Sequence, residues 1–272
     1  ETGTTITAVN GNSVTQGLGG IAGYGMGLIE GCENGADLIA KYSGGVNTGG
    51  IMAAVNSVRS ATISNCSNTG NITARGGYVG GIAGSIYNAL TGVSVENSYS
   101  VGNITVTGES QIKGVGGVAG RVLSVRNSYW YGEYINVPEG TQVGAITGES
   151  GAVVTDSYYG IKGEEAKGNI NDINDDKGVT WLPSKDFEIG KAAYLIDGGM
   201  ADGSGSVRRG MWTQNFAEGY PVLAEDESVY MITMSSGDNG SIEMAERNLT
   251  KAKVRSLAAG EDNKQEYFEI KG

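Results

Sequence analysis

Gly80-Gly81-Ile82-Ala83-Gly84 is a glycine cassette that recurs along this chain of 272 residues. Including two degenerate copies, the first glycines of the cassettes fall at positions 19, 49, 80, 116 and 144, at spacings of 30, 31, 36 and 28 residues. A period of this size is typical of stacked-coil architectures, in which no repeat buries a core alone and neighbouring repeats close it. The five copies occupy residues 19–23, 49–53, 80–84, 116–120 and 144–148.

A second landmark follows each first glycine after 11 to 17 residues. Asn and Asp suit such bends because they tolerate left-handed backbone angles. Each unit therefore reads as a glycine-rich strand, a variable arm, a bend and a closing strand, and the short fifth unit reads as a terminal coil. The sequence predicts a right-handed parallel β-helix of about five coils. The landmark copies are Gly31-Cys32, Asn65-Cys66, Asn97-Ser98-Tyr99, Asn127-Ser128-Tyr129 and Asp156-Ser157-Tyr158.

Glycine content supports this interpretation, since the chain holds 47 glycines and only 3 prolines. Glycine fits where coils approach closely, whereas proline would remove a hydrogen-bond donor from every strand that it entered.

The cassette and its landmark together resemble a known repeat family. Val79-Gly80-Gly81-Ile82-Ala83-Gly84, followed by Asn-Cys or Asn-Ser-Tyr and then Thr-Gly-Asn or Val-Gly-Asn, is similar to the GLUG-motif repeats of bacterial cell-surface proteins. The resemblance covers about residues 15–160. It implies a place in a large secreted or wall-attached adhesin, or beside a surface immunoglobulin protease, and therefore an extracellular location. A later part of the chain is similar to a segment that often ends such arrays. It comprises residues 192–199, Trp212-Thr213-Gln214 and residues 219–223.

Composition shifts divide the chain into four predicted segments. Residues 1–3 are expected to be an expression scar, residues 4–168 the β-helix, residues 169–227 a linker and a cap, and residues 228–272 a small β module. The cap is predicted to contain one helix from about Lys185 to Ile196, with Ser184 as its N-cap and Gly198 as the residue that ends it. We expect this helix to cover the open end of the solenoid, with Trp212 and Tyr220-Pro221 holding the cap together.

The small β module is predicted from alternating segments around a strong turn. Asp238-Asn239-Gly240 is a turn signal between two apolar runs. The predicted strands cover residues 229–234, 241–244, 251–257 and 267–270.

The charge balance argues against two classes of partner. With 19 basic and 30 acidic residues the net charge is −11, so we expect neither nucleic acid nor an anionic membrane as a partner. No stretch approaches the roughly 20 apolar residues that a spanning helix needs, so membrane insertion is not expected either.

Cys32 and Cys66 occupy equivalent places in successive repeats, and Ser98, Ser128 and Ser157 take the same place later. Stacked coils would bring the two sulfurs close enough for a disulfide. Side chains in register point in parallel, however, which favours a buried ladder of small residues. Both alternatives remain open from the sequence, and the ladder is preferred.

Tyrosines follow the Cys/Ser position in the later repeats. If that position faces inward, the next residue faces outward on a regular strand. An exposed tyrosine stripe is therefore predicted to bind a ligand. In the alternative, the bend reverses the alternation and the rings fill the widening end of the core. The stripe comprises Tyr99, Tyr129 and Tyr158 on consecutive coils, and Tyr131 and Tyr159 lie close by in the sequence and complete the predicted ligand-binding set.

The chain contains no histidine, which limits the catalytic sites that it could form. A Ser-His-Asp triad and a His-based zinc protease site are both excluded. The remaining candidates are the carboxylates Glu96, Glu109, Glu133 and Asp156, whose spacing shows no convergent pair. Residues 172–176 are similar to the opening of a calcium loop, but they lack its glycine and its final glutamate, so a solvated acidic linker is preferred. We expect no enzyme activity, no cofactor and no metal.

These observations predict a non-enzymatic, adhesin-like protein of the bacterial surface or a secreted one. Its expected partner is a host protein or glycan, and the resemblance alone suggests immunoglobulin. A passive stalk and a carboxylate-based enzyme acting on polysaccharides remain the alternatives.

Overall fold

Five parallel β-sheets run along most of the chain and form a β-solenoid. The computed structural model describes residues 4–8, 17–41, 45–55, 60–86, 93–108, 111–164, 178–199, 210–215 and 217–224, and the backbone of three later strands. In each turn the chain passes in order through sheets 1 to 5, which are defined here by their strands.

Each sheet collects one strand from successive turns. Sheet 1 consists of Gly17–Gly19, Asn47–Gly49, Gly77–Gly80, Ile112–Gly116 and Val143–Gly144. Sheet 2 consists of Ala22–Gly25, Met52–Val55, Ala83–Ser85 and Ala119–Arg121. Sheet 3 consists of Gly27–Glu30, Ala61–Ser64, Val93–Glu96, Ser124–Arg126 and Val153–Thr155. Sheet 4 consists of Glu33–Asn34, Ser67–Asn68, Tyr99–Ser100, Tyr129–Gly132, Ser157–Ile161 and Val179–Trp181. Sheet 5 consists of Thr5–Ala8, Asp37–Ala40, Ile72–Ala74, Ile104–Val106 and Ile135–Asn136.

The cassettes stack on one another, as the repeat predicts. The Gly20 amide donates to Gly50 O at 3.1 Å, and the Gly81 amide donates to Gly117 O at 3.1 Å. Four turns pass through all five sheets, and the fifth cassette begins an incomplete turn in which Thr147 makes a single bridge to Ala119. The prediction of a parallel solenoid is confirmed, with about four turns where five coils were expected.

Two apolar clusters fill the inside of the turns. The main cluster draws on sheets 2, 3 and 4, and the second cluster lies between sheets 1 and 5. The main cluster includes Ile51, Ile63, Ile82, Val95, Val118, Val125, Trp130, Ile146 and Tyr159. The second cluster includes Leu18, Leu38, Ile72, Val79, Ile104 and Val115. Stacking therefore gives each repeat the buried apolar surface that it cannot provide alone.

Gly81 shows why the cassette needs glycine. A Cβ at this position would overlap the Gly117 carbonyl of the next turn and the side chain of Ser100 in sheet 4. At Gly117 the overlap would be with the Ala145 carbonyl and the ring of Trp130. The second cassette glycine thus leaves room for a side chain of sheet 4.

The chain divides at Trp181, so that residues 182–272 form a second unit. The predicted boundary at residue 168 is too early, because Val179–Trp181 pairs in parallel with the preceding strand of sheet 4. Residues 165–177, which include the predicted acidic linker, lie outside the described residues.

The second unit begins with two short helices where one was predicted. Helix α1 (Ser184–Glu188) and helix α2 (Lys191–Ile196) are separated by Gly190, whose φ of 88° is a left-handed backbone that breaks a continuous helix. Ser184 is not the N-cap, since Pro183 holds that place and the Ser184 hydroxyl donates to Glu188 Oε1 at 3.0 Å. Gly198, with φ 96°, ends α2 as predicted.

Two antiparallel sheets complete this unit. Trp212–Asn215 pairs with Tyr220–Leu223, and α2 packs against this hairpin. Gln265–Lys271 lies between Ser228–Thr233 and Lys253–Ala259, which agrees with three of the four strands predicted there. The predicted turn at 238–240 and the strand at 241–244 lie outside the described residues. Neither α1 nor α2 has the length and apolar character needed to cross a membrane.

Candidate functional site

The bend before sheet 4 places one residue per turn in the left-handed region. Gly31 has φ 63°, and the Asn or Asp residues that replace it have φ between 45° and 53°. This confirms the expectation that the landmark is a bend that favours Asn and Asp. The residues concerned are Asn65, Asn97, Asn127 and Asp156.

A hydrogen-bonded ladder follows the bend. The Cys66 amide donates to Ser98 Oγ at 3.1 Å, and the Ser98 amide donates to Ser128 Oγ at 3.1 Å. Each side chain in turn donates to the carbonyl two residues earlier, as Ser98 Oγ does to Glu96 O at 2.7 Å. Cys32 and Cys66 are free thiols, so the ladder is confirmed and the disulfide alternative is wrong.

Burial makes Cys66 a poor nucleophile. Its side chain is inaccessible to solvent, and desolvation raises the pKa of its thiol to about 11. Thiolate is the reactive form, so a reactive role for Cys66 at neutral pH is not supported.

The tyrosines do not form the exposed stripe that was predicted. Tyr99 is 5% exposed, Tyr131 is 1% exposed, and Tyr129 and Tyr159 are fully buried, while Tyr158 alone is partly exposed. A flat recognition surface needs accessible rings, so this correction removes the basis for assigning ligand binding to these five residues.

Two different environments account for this burial. Trp130 and Tyr159 share the inward parity of sheet 4 and belong to the main cluster. Tyr99 and Tyr129 have the opposite parity, and their rings stack at 5.1 Å between centroids with an interplanar angle of 7°. The alternation of inward and outward side chains does not reverse at the bend. Cys66 lies in the main cluster, so Asn68, two positions later, also faces inward. Tyr159 is therefore packed in the main cluster, whereas Tyr99 and Tyr129 are buried with the opposite parity.

An interior polar ladder, which the sequence analysis missed, occupies the inward position of sheet 4 in the first turns. Asn34 Nδ2 donates to Asn68 Oδ1 at 2.7 Å, and Asn68 Nδ2 donates to Gly70 O at 2.8 Å. In the fourth turn Trp130 Nε1 takes over this role and donates to Gly102 O at 3.2 Å. Asn68 and Trp130 stand at the same offset from the bend, which is the signal that could have revealed the ladder.

The candidate carboxylates do not converge. Glu96 pairs with Arg126 at 2.6 Å, and Arg126 is its neighbour in the sheet 3 column. Asp156 forms the fifth bend, and Glu133 follows a strand of sheet 4. Glu109 and the calcium-like stretch 172–176 lie outside the described residues. Within the described ranges, no group of three or more Cys, Asp or Glu side chains is placed to hold a metal ion.

A cluster of four side chains from three turns stands out on sheets 1 and 2. We call it the Tyr78 cluster, and it comprises Tyr78, Lys113, Arg121 and Glu149. Lys113 reaches it through a β-bulge, because Gly77 pairs with Ile112 whereas Tyr78 pairs with Gly114. Bulges redirect a side chain and are common beside functional sites.

The ring of Tyr78 organises this cluster. Lys113 Nζ lies 5.6 Å and Arg121 Cζ lies 5.5 Å from the ring centroid, both within the range of cation–π attraction. The Tyr78 hydroxyl donates to Glu149 Oε1, and Arg121 Nε lies 2.8 Å from Glu149 Oε2. Desolvation, and then the hydrogen bond to Glu149, raise the pKa of Tyr78 to about 12, so that the phenol stays protonated.

The first turn carries the largest concentration of exposed apolar groups in the described residues. Its strands form one end of sheets 1 to 4. Tyr24 is 55% exposed and Leu28 is 61% exposed on neighbouring end strands. Ile21 and Met26 are also exposed in the same turn, and we call these four residues the first-turn patch.

Comparisons of the chain with protein-family models, curated proteins and solved structures found no match.

Proposed function

We propose that this chain is a non-enzymatic module of a bacterial cell-surface or secreted protein, in which the solenoid is a rigid spacer. One observation carries the proposal, namely that the repeated side chains stabilise the stacking of the turns. The bends, the Cys/Ser ladder and the second cassette glycine all support stacking. Of the repeated tyrosines, Tyr99 and Tyr129 are buried and Tyr158 is only partly exposed. A repeat used in this way favours length and stiffness over a recognition stripe.

The carboxylate enzyme is the weaker alternative. Glycoside hydrolysis needs two carboxyl groups facing one substrate, one of them held protonated. Glu96 is instead paired with the guanidinium of Arg126, which is not a second carboxyl group.

A spacer should tolerate a change in the number of its turns. Inserting one to three extra copies of residues 77–111 should lengthen the solenoid by about 4.8 Å per copy while keeping it folded. When the variants are displayed on a bacterial surface with an epitope tag at the end of the solenoid away from the cell, an antibody should bind the tag more readily on the longer solenoids. Unfolding of the insertion variants, or access that does not depend on their number, would contradict the spacer.

Binding of a host protein is the second candidate, and the first-turn patch favours it. Soluble proteins rarely expose large apolar patches, and those that they do expose often mark interaction surfaces. Immunoglobulin is the specific partner to test, as the resemblance to GLUG-motif proteins suggests.

Biolayer interferometry with purified immunoglobulins A and G tests this second candidate. If the patch binds, Tyr24→Ser and Leu28→Ser should each weaken binding by about tenfold or more. Val153→Ser is the matched control, because Val153 is an exposed apolar residue on a different turn. Equal binding by all three variants would exclude the first-turn patch as the immunoglobulin-binding site. If the unmodified chain does not bind immunoglobulin, the spacer role remains as the only proposed function.

A further inference from the structure

The stacking repeat does not require the Tyr78 cluster. In its sheet column, Tyr78 has Asn47 and Gly114 as neighbours, and its amide donates to Asn47 Oδ1 at 3.0 Å. In sheet 2, the residues in register with Arg121 in the two preceding turns are Ser85 and Ala54. The aromatic ring and the guanidinium are therefore particular to this part of the solenoid, unlike the Cys/Ser and Asn ladders.

The charges of the cluster leave it cationic on an acidic chain. Lys113 and Arg121 carry two positive charges, Glu149 carries one negative charge, and Tyr78 is neutral. Arg121 and Glu149 are paired, and their side chains remain 33% and 30% exposed. Lys113 is exposed, and the ring of Tyr78 is the group that its ammonium contacts in the described structure. One positive charge is thus available on a protein whose net charge is −11.

The four groups offer complementary hydrogen-bonding chemistry in one place. The ammonium of Lys113 and the guanidinium of Arg121 are donors that favour a carboxylate. Glu149 is an acceptor that favours hydroxyl groups and repels a doubly charged anion such as phosphate. A ligand that carries one carboxylate among several hydroxyls satisfies both requirements.

We propose that the Tyr78 cluster binds an acidic saccharide, with the sugar carboxylate near Lys113 and a sugar hydroxyl donating to Glu149. Tyr78 holds Arg121 and Glu149 in position through its ring and its hydroxyl. An acidic peptide has the same carboxylate but several negative charges, which the overall charge of the protein would repel. This site goes beyond the spacer role and does not depend on it.

The test is isothermal titration of the whole chain with sialyllactose and with glucuronic acid, and with lactose as the neutral match. We expect saturable binding of at least one acidic sugar, with a dissociation constant in the range of about 0.1 to 10 mM, and much weaker binding of lactose. Raising the salt to about 0.5 M should weaken binding, because the contact is exposed and charged.

Two lysine variants separate a specific site from overall charge. Lys113→Gln should weaken binding of the acidic sugar by about tenfold or more. Lys162→Gln makes the same change in net charge at another exposed lysine and should leave binding unchanged. Lys113→Arg should retain most of the affinity, and circular dichroism should show that all three variants are folded.

Several outcomes would overturn the proposal. These are equal binding of lactose, equal loss in the Lys113 and Lys162 variants, or no saturable binding of either acidic sugar. Tighter binding of a short poly-glutamate peptide than of both sugars would assign the site to acidic peptides instead.

Discussion

At the scale of single residues, the bend before sheet 4 depends on a backbone conformation that few side chains tolerate. Left-handed φ values cost most L-residues about 1 to 2 kcal/mol, and Asn and Asp are the exceptions other than glycine. Asn65 shows this geometry with φ 53°, and its side chain also donates to Glu30 Oε1 at 3.3 Å. Its identity is therefore set by the backbone more than by that exposed contact.

Replacing Asn65 tests this explanation. Asn65→Ala should lower the free energy of unfolding by about 1 to 2 kcal/mol more than Asn65→Gly does. Both variants lose the bond to Glu30, so the difference between them reports the cost of the left-handed backbone. Urea denaturation followed by circular dichroism gives the two values, and equal values would show that the bend is not strained.

Cys66 links burial to stability at high pH. Its pKa rises from 9.0 to about 11 in the folded chain, chiefly because burial disfavours the thiolate. The stabilisation from the neutral thiol is complete below about pH 9 and is lost as the pH rises towards 11.

We expect the free energy of unfolding to fall between pH 9 and pH 11 more steeply in the native chain than in Cys66→Ser. Serine keeps the ladder, as Ser98 does in the next turn, but does not titrate in this range. Urea denaturation at several pH values measures both slopes. Identical slopes would mean that Cys66 is not buried as a neutral thiol.

At the scale of the element, the cassette is the place where the backbones of neighbouring turns approach most closely. At Gly81 the obstacle to a side chain includes a backbone carbonyl of the next turn, which cannot rotate away. Gly25, in contrast, would place a new Cβ at 3.5 Å from the flexible Met52 Sδ, which is ordinary contact.

These two glycines make a matched pair. Gly81→Ala should destabilise the chain by about 3 kcal/mol or more, because relief of the overlap requires the turns to move apart. Gly25→Ala should change the stability by less than about 1 kcal/mol. Thermal unfolding of both variants checks this prediction, and a mild effect at Gly81 would contradict the close packing of the cassettes.

At the scale of the whole molecule, stability depends on each turn having neighbours. The third turn is stacked on both sides, whereas the first turn lies at one end of sheets 1 to 4. In such arrays the free energy of opening grows with the number of interfaces that hold a repeat in place.

Hydrogen exchange should therefore follow position in the column. Ile21 and Ile82 are equivalent cassette residues, and their amides donate to carbonyls of the next turn at 3.1 Å and 2.8 Å. We expect the Ile82 amide to exchange at least about tenfold more slowly than the Ile21 amide, as measured by NMR or mass spectrometry. Equal protection would indicate that the solenoid opens as a single cooperative unit.

The sequence by itself determined the stacking of this protein, because the cassette and the Asn or Asp bend express local backbone requirements that recur at a readable period. It also gave the small residues of the Cys/Ser ladder, since equivalent positions in parallel strands must share one environment. It did not determine the burial of Tyr99 and Tyr129, because alternation along a strand gives the side that a ring faces and not what covers that side. Only the tertiary structure decided the Tyr78 cluster, since its residues come from three turns joined by arms of unequal length and meet through a bulge that no period encodes.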